Sequence, residues 1–213
     1  MNKFFTALIA LVVVSTTAFG QKSYTSEKDV FEAKDVVFYG YDFSHFKLAE
    51  AKRIFENNNV KKLIPAWIEY VNSHNSNVSL QRNLKKDIVT LNFDYTLDLI
   101  KNINEDGLVV VVKHTIPLDS IQSIVSRYAV KEKEGVGFVV IVECFEKVKE
   151  KASAYFTFFD IATKKVLMSD YYVANDADGY GMVNHWGVGL RVTVAKYFAR
   201  VYKKKWKEFE HQQ

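Results

Sequence analysis

Three strand-like runs stand almost end to end between Gly137 and Val173, and nothing else constrains the fold of this chain so tightly. The runs Gly137–Val148, Ala152–Ile161 and Val166–Val173 are dense in Val, Ile, Phe and Tyr, which fit a pleated, half-buried surface. Their connections, residues 149–151 and 162–165, are far shorter than a parallel crossover requires. Consecutive strands here must therefore pair antiparallel, as hairpins. Lysines at both turns keep the tips soluble.

The C-terminal segment reads as a long amphipathic helix over Val188–Phe209. Val188, Val192, Ala195, Ala199, Tyr202 and Trp206 recur at steps of four and three, and Leu190, Val194, Phe198 and Val201 widen the stripe. Such a helix lies flat on a large apolar surface, and Gly187 and Gly189 near its start let the backbone approach closely. Upstream, Val36–Phe43 reads as the first strand, and Val60–Asn72 as a helix weakened by Pro65. Ile88–Leu99 alternates apolar and polar residues, the pattern of a strand with one wet face, although its end from Leu97 also suits a helical turn. Pro117 opens a helix whose inner face is Ile121, Ile124, Val125 and Tyr128. This order of elements predicts an α+β fold: a single domain with a mainly antiparallel sheet and helices packed on one face.

Residues 1–20 carry the marks of a secretory leader. Lys3 supplies a positive start, Phe4–Val14 an apolar core too short to span a bilayer, and Ala18–Gly20 small residues for cleavage before Gln21. An exported chain whose single cysteine is Cys144 has no internal disulfide, so its core alone must hold it together. Cys144 lies in a strand run and reads as a buried, inert thiol. Loss of Lys3 with the leader lowers the formal net charge from +4 to +3, too mild a balance to argue for nucleic acid. Two prolines and a high aromatic content exclude a disordered chain.

The densest set of candidate groups is Asn175–Gly189, where Asp176, Asp178, Tyr180, Asn184, His185 and Trp186 stand among glycines between a strand and the final helix. One reading is an anion cradle at a helix N-terminus, which Asp176 and Asp178 oppose by charge. A second is a strand-to-helix turn, with Asp178 or Asn184 as N-cap and Tyr180 and Trp186 buried. A third is a small hydrolase using Asp176, Asp178 and His185 as acid/base groups. The glycine spacing is not that of a P-loop, and the later ligands of a calcium loop are missing. The histidines stand apart and no nucleophile motif occurs, so neither a metal nor a cofactor nor a catalytic residue is assigned. The second candidate is basic: Lys203, Lys204 and Lys205, with Arg191, Lys196, Arg200 and Lys207, suit either a solvated helix end or an anionic surface.

Two segments carry a resemblance. The Phe158–Leu167 hairpin resembles that of envelope proteins related to the TolB N-terminal domain and the curli-secretion lipoprotein CsgG. Gly179–Gly187 is similar to a glycine-aromatic-glycine signature, followed by Asn and Trp, in uncharacterised secreted bacterial proteins. The resemblance implies a TolB N-terminal-like sandwich exported to the envelope and no reaction. The expectation is a non-enzymatic domain, periplasmic or extracellular, that binds an envelope protein or small ligand. Its contacts would be Asp176, Asp178, Tyr180, Asn184, His185 and Trp186. The alternatives are the hydrolase and a peripheral membrane protein using Lys203, Lys204 and Lys205.

Overall fold

The computed structural model describes residues 23–50, 57–74, 77–175 and 177–212. The expected leader over residues 1–20 and its cleavage position lie outside them. The elements, in chain order, are α1 (Glu27–Glu32), β1 (Asp35–Asp42), β2 (Lys47–Ala49), α2 (Asn57–His74), α3 (Asn77–Leu84), β3 (Ile88–Leu91), α4 (Asp94–Lys101) and β4 (Val109–Val110). They continue with α5 (Ser120–Val125), β5 (Val136–Glu146), β6 (Lys151–Asp160), β7 (Val166–Ala174), α6 (Met182–Tyr197), a π-helical turn (Phe198–Tyr202) and α7 (Lys203–Glu210).

The hairpins form as expected: β5 pairs antiparallel with β6, and β6 with β7. The rest of the sheet overturns the mainly antiparallel sandwich. β1 pairs parallel with both β3 and β5, and β2 parallel with both β4 and β5, so β1 to β5 run the same way. The fold is α/β. The reason lies in the connections. Short turns constrain only β5, β6 and β7, whereas helices separate the earlier strands and supply crossovers long enough for parallel pairing. β6 occupies one flank of β5 along its whole length, so β1 and β2 share the other flank end to end.

The helices do not keep to one face either. One core holds Phe138, Val140, Val142 and Phe145 of β5 against Trp67 of α2, Leu84 of α3, and Trp186, Leu190 and Tyr197 of α6. The opposite core sets Val139 and Ile141 of β5 against Ile121, Ile124 and Val125 of α5. Covering both faces is what a parallel sheet requires, and every residue of β5 is buried. A bulge between Val142 and Cys144 shifts the alternation of β5 by one, which returns Phe145 to the first core. Beyond it the second face turns polar. Buried Glu143 accepts hydrogen bonds from Tyr171 (2.6 Å), Ser153 (2.8 Å) and the Ile116 amide (2.8 Å), tying three strands to the segment before α5.

Two local expectations also change. α2 runs from Asn57 to His74 straight through Pro65, longer at both ends than the expected Val60–Asn72. Its apolar face of Val60, Ile64, Trp67 and Val71 is fully buried, and that packing outweighs the proline's missing donor. The strand expected over Ile88–Leu99 stops at Leu91 and gives way to α4, because Thr96 and Ile100 bury at helical spacing.

Candidate functional site

The stretch expected to hold the site is divided by the fold. Asp176 lies outside the described residues. Ala177 is buried and donates its amide to the Glu150 carbonyl at 3.2 Å, beside the β5–β6 turn. Asp178 accepts the Gly179 amide at 2.7 Å. Gly181, with φ of 78°, caps α6, which starts at Met182, ahead of the expected Val188. A left-handed residue is needed to turn β7 into the helix, and glycine adopts that conformation at little cost. Asn184 is therefore inside the first helical turn, where its amide donates to the Tyr180 carbonyl at 3.1 Å, rather than serving as N-cap. Tyr180 is 97% exposed and staples nothing.

His185 and Trp186 point the other way. Trp186 is fully buried and stacks on Phe145, with ring centroids 4.7 Å apart and planes within 8°. His185 is 7% exposed and meets the Trp186 ring edge-on at 4.7 Å. Burial lowers the His185 pKa, the Lys147 cation adds to this, and the Glu150 and Asp178 carboxylates oppose it. Gly187 faces α2, where an added Cβ would stand 2.6 Å from the Tyr70 ring, and Gly189 sits over Ala152 of β6. The stretch is thus a packed strand-to-helix hinge with an exposed tip of Asp178, Tyr180 and Asn184. Of the three side chains named for acid/base work, Asp178 is bonded within its own loop and His185 faces the core. Among the described residues, no three His, Cys, Asp or Glu side chains come together as a metal-ligand set. Cys144 is buried, and burial pushes its thiol up to about 11, which keeps it protonated.

The basic C-terminal helix is also divided, and more usefully. Lys205 bonds Asp170 of β7 at 2.7 Å and Glu27 of α1 at 3.0 Å. Burial pulls its pKa down, but the two carboxylates outweigh that and hold it above the ordinary lysine value. Among the described residues Lys204 pairs with Glu208 alone, on the surface at 3.8 Å. Lys203 lines a groove of about 350 Å³ between α3 and the C-terminal helix. The groove's floor is Ala195, Phe198, Ala199, Tyr202 and Trp206, and its rim carries Arg82 and Lys85 on one side and Lys203 and Lys207 on the other. Glu210 is its one carboxylate. None of the four cations forms an ion pair with another described residue.

Two structural devices build this groove. Lys85 takes a left-handed conformation, φ 55°, at the end of α3. That turn sends the next residue, Lys86, inward, where its ammonium group bonds the Val30, Phe31 and Ala33 carbonyls at 2.5, 3.1 and 2.7 Å. Burial lowers the Lys86 pKa to about 8, against the pull of Asp87, and its Nζ stands 5.4 Å from the Trp206 ring. Lys85 itself stays exposed on the rim. The second device is the π-helical turn at Phe198–Tyr202, whose residues form much of the floor. Single π-turns inside α-helices are rare and cluster at functional sites. Arg82 and Lys85 escaped the sequence reading because the cations of α3 meet those of α7 only in the folded chain. Their i, i+3 spacing next to a helix end was the only signal available.

No family model, curated protein or solved structure matches this chain, so no relative's site can be laid over these residues.

Proposed function

We propose that this chain is an exported, non-enzymatic α/β domain that binds a partner or ligand in the cell envelope. Export rests on the leader-like pattern of residues 1–20. The observation that carries the binding reading is the groove between α3 and the C-terminal helix, an apolar floor rimmed by Arg82, Lys85, Lys203 and Lys207. Its volume of about 350 Å³ falls within the range of ligand sites, and a concave apolar surface with a few convergent polar groups is the usual form of such a site. The contact surface thereby moves from the Asn175–Gly189 stretch, where Trp186 and His185 serve packing, to the opposite end of the last helix.

Native mass spectrometry of protein purified gently from its host tests this. The wild type is expected to carry additional mass from a retained molecule. A Lys203→Glu/Lys207→Glu double variant is expected to lose that mass, and a Tyr180→Ala/Asn184→Ala variant to keep it. A wild type that runs only at its own mass, or a double variant that keeps the adduct, refutes the proposal.

A further inference from the structure

We infer that the groove receives an acidic, partly apolar helical segment of a partner protein, an inference that rests on the binding reading above. The groove is a trough between two helices, and its exposed floor residues Ala195 and Ala199 are one helical turn apart. Their small side chains let a third helix come close, with an apolar side chain of the incoming segment lying over them.

Charge gives the class of partner. Lys203 and Lys207 stand at i, i+4 on one wall, and Arg82 and Lys85 at i, i+3 on the other. Lys203 and Lys207 present cations at the repeat of an α-helix, and Arg82 with Lys85, which follows the end of α3, sets two more opposite them, so carboxylates on either edge of an incoming helix would face them. A stripe of apolar residues flanked by Asp or Glu matches floor and rim together.

Orientation of the aromatics decides against a lipid surface as the occupant. An interfacial helix buries its Trp and Phe in the bilayer. Here Trp206 and Phe209 both pack on Phe31 of α1, with centroids 5.8 and 5.4 Å apart, and so face the protein's own core. Lys205, which a membrane-facing reading would use, is bound to Asp170 and Glu27. Lys203 and Lys207 flank a concavity, which a planar headgroup surface cannot enter.

Amide chemical-shift mapping on the full-length mature protein tests the inference. The probe is a blocked, alanine-based helical peptide with leucines on one face flanked by glutamates, and the control replaces the glutamates by lysines. Saturable shifts are expected in α3, the π-turn and α7 with the acidic peptide alone. The dissociation constant is expected to rise at least about tenfold for Arg82→Glu/Lys85→Glu and for Lys203→Glu/Lys207→Glu. Lys204→Glu, which alters charge on the same helix outside the groove, is expected to leave it unchanged. Salt near 0.5 M is expected to weaken binding by about tenfold, through screening. Absence of saturable binding, shifts mapping elsewhere, or an equal effect of Lys204→Glu overturns the inference. Binding to phosphatidylglycerol vesicles that the groove variants abolish, without peptide binding, overturns it in favour of a lipid partner. The peptide result decides the acidic-helix inference, and the native-mass result decides the binding reading, so either can fail alone.

Discussion

Residues of like chemistry in this chain are given different work by their surroundings. Lys203, Lys204 and Lys205 are indistinguishable in sequence, yet one lines a groove, one pairs on the surface and one joins α1 to β7. One reading of the stretch buries both Tyr180 and Trp186, and only Trp186 is buried. Replacing Trp186 by alanine removes a fully buried ring stacked on Phe145 and is expected to cost about 3–5 kcal/mol. Tyr180→Ala is expected to stay within about 0.5 kcal/mol of wild type. Urea denaturation of the two variants measures both, and equal effects would contradict this division of the stretch. The sequence made the aromatic pair conspicuous but left its orientation open. The missing information was where α6 begins, which depends on the left-handed turn at Gly181.

At the scale of elements, the last helix is the instructive case. Its amphipathic character was legible from Val194, Phe198 and Tyr202, all of which are buried. The stripe drawn through Ala195 and Ala199 was not the buried one, and both alanines are exposed. The buried face is already offset from that stripe at Leu190 and Val194, ahead of the π-turn. The inner face runs through Trp186, Leu190, Val194, Tyr197 and Phe198, and continues through the π-turn to Tyr202. One extra residue in the turn rotates everything after it by about 100°, the angle per residue of an α-helix. That rotation lets Tyr197 stack on Phe156 at 3.7 Å while Tyr202 stacks on Phe158 at 5.8 Å. Deleting Ala199 should restore α-helical phase and turn Tyr202, Trp206 and Phe209 out of register with α1 and the sheet. A loss of at least about 3 kcal/mol is expected, the scale of removing one buried aromatic side chain. Hydrogen exchange should show α7 opening first. An unaltered denaturation midpoint would show that the π-turn has no role in packing.

For the whole molecule, acid sensitivity follows from one buried and one half-buried imidazole. His185 and His114 both have lowered pKa values, each chiefly through burial, with Lys147 and Lys47 respectively adding to it. The unfolded chain takes up protons near the ordinary histidine value of about 6.5, whereas the folded rings resist. The stability they contribute is therefore present above about pH 6.5 and is lost as pH falls below it, through the lower folded pKa values. Urea midpoints are expected to fall between pH 7.5 and pH 5, and to fall less in a His114→Asn/His185→Asn variant. An identical slope in that variant would assign the acid sensitivity to other groups.

The sequence by itself determined the three hairpin strands, the buried Cys144, the inner face of α5 and the amphipathic C-terminus. Each follows from local spacing or from a connection too short to allow a second pairing. Only the tertiary structure decided that β1 to β5 run parallel, that helices cover both faces, and that cations from α3 and α7 share one groove. Pairing between β1, β3 and β5 joins residues dozens of positions apart, and nothing in a strand's own residues records its partner's direction. The phase of the last helix belongs to the same class, since the extra residue of its π-turn is set by rings on the sheet below and leaves no mark in the α-helical repeat.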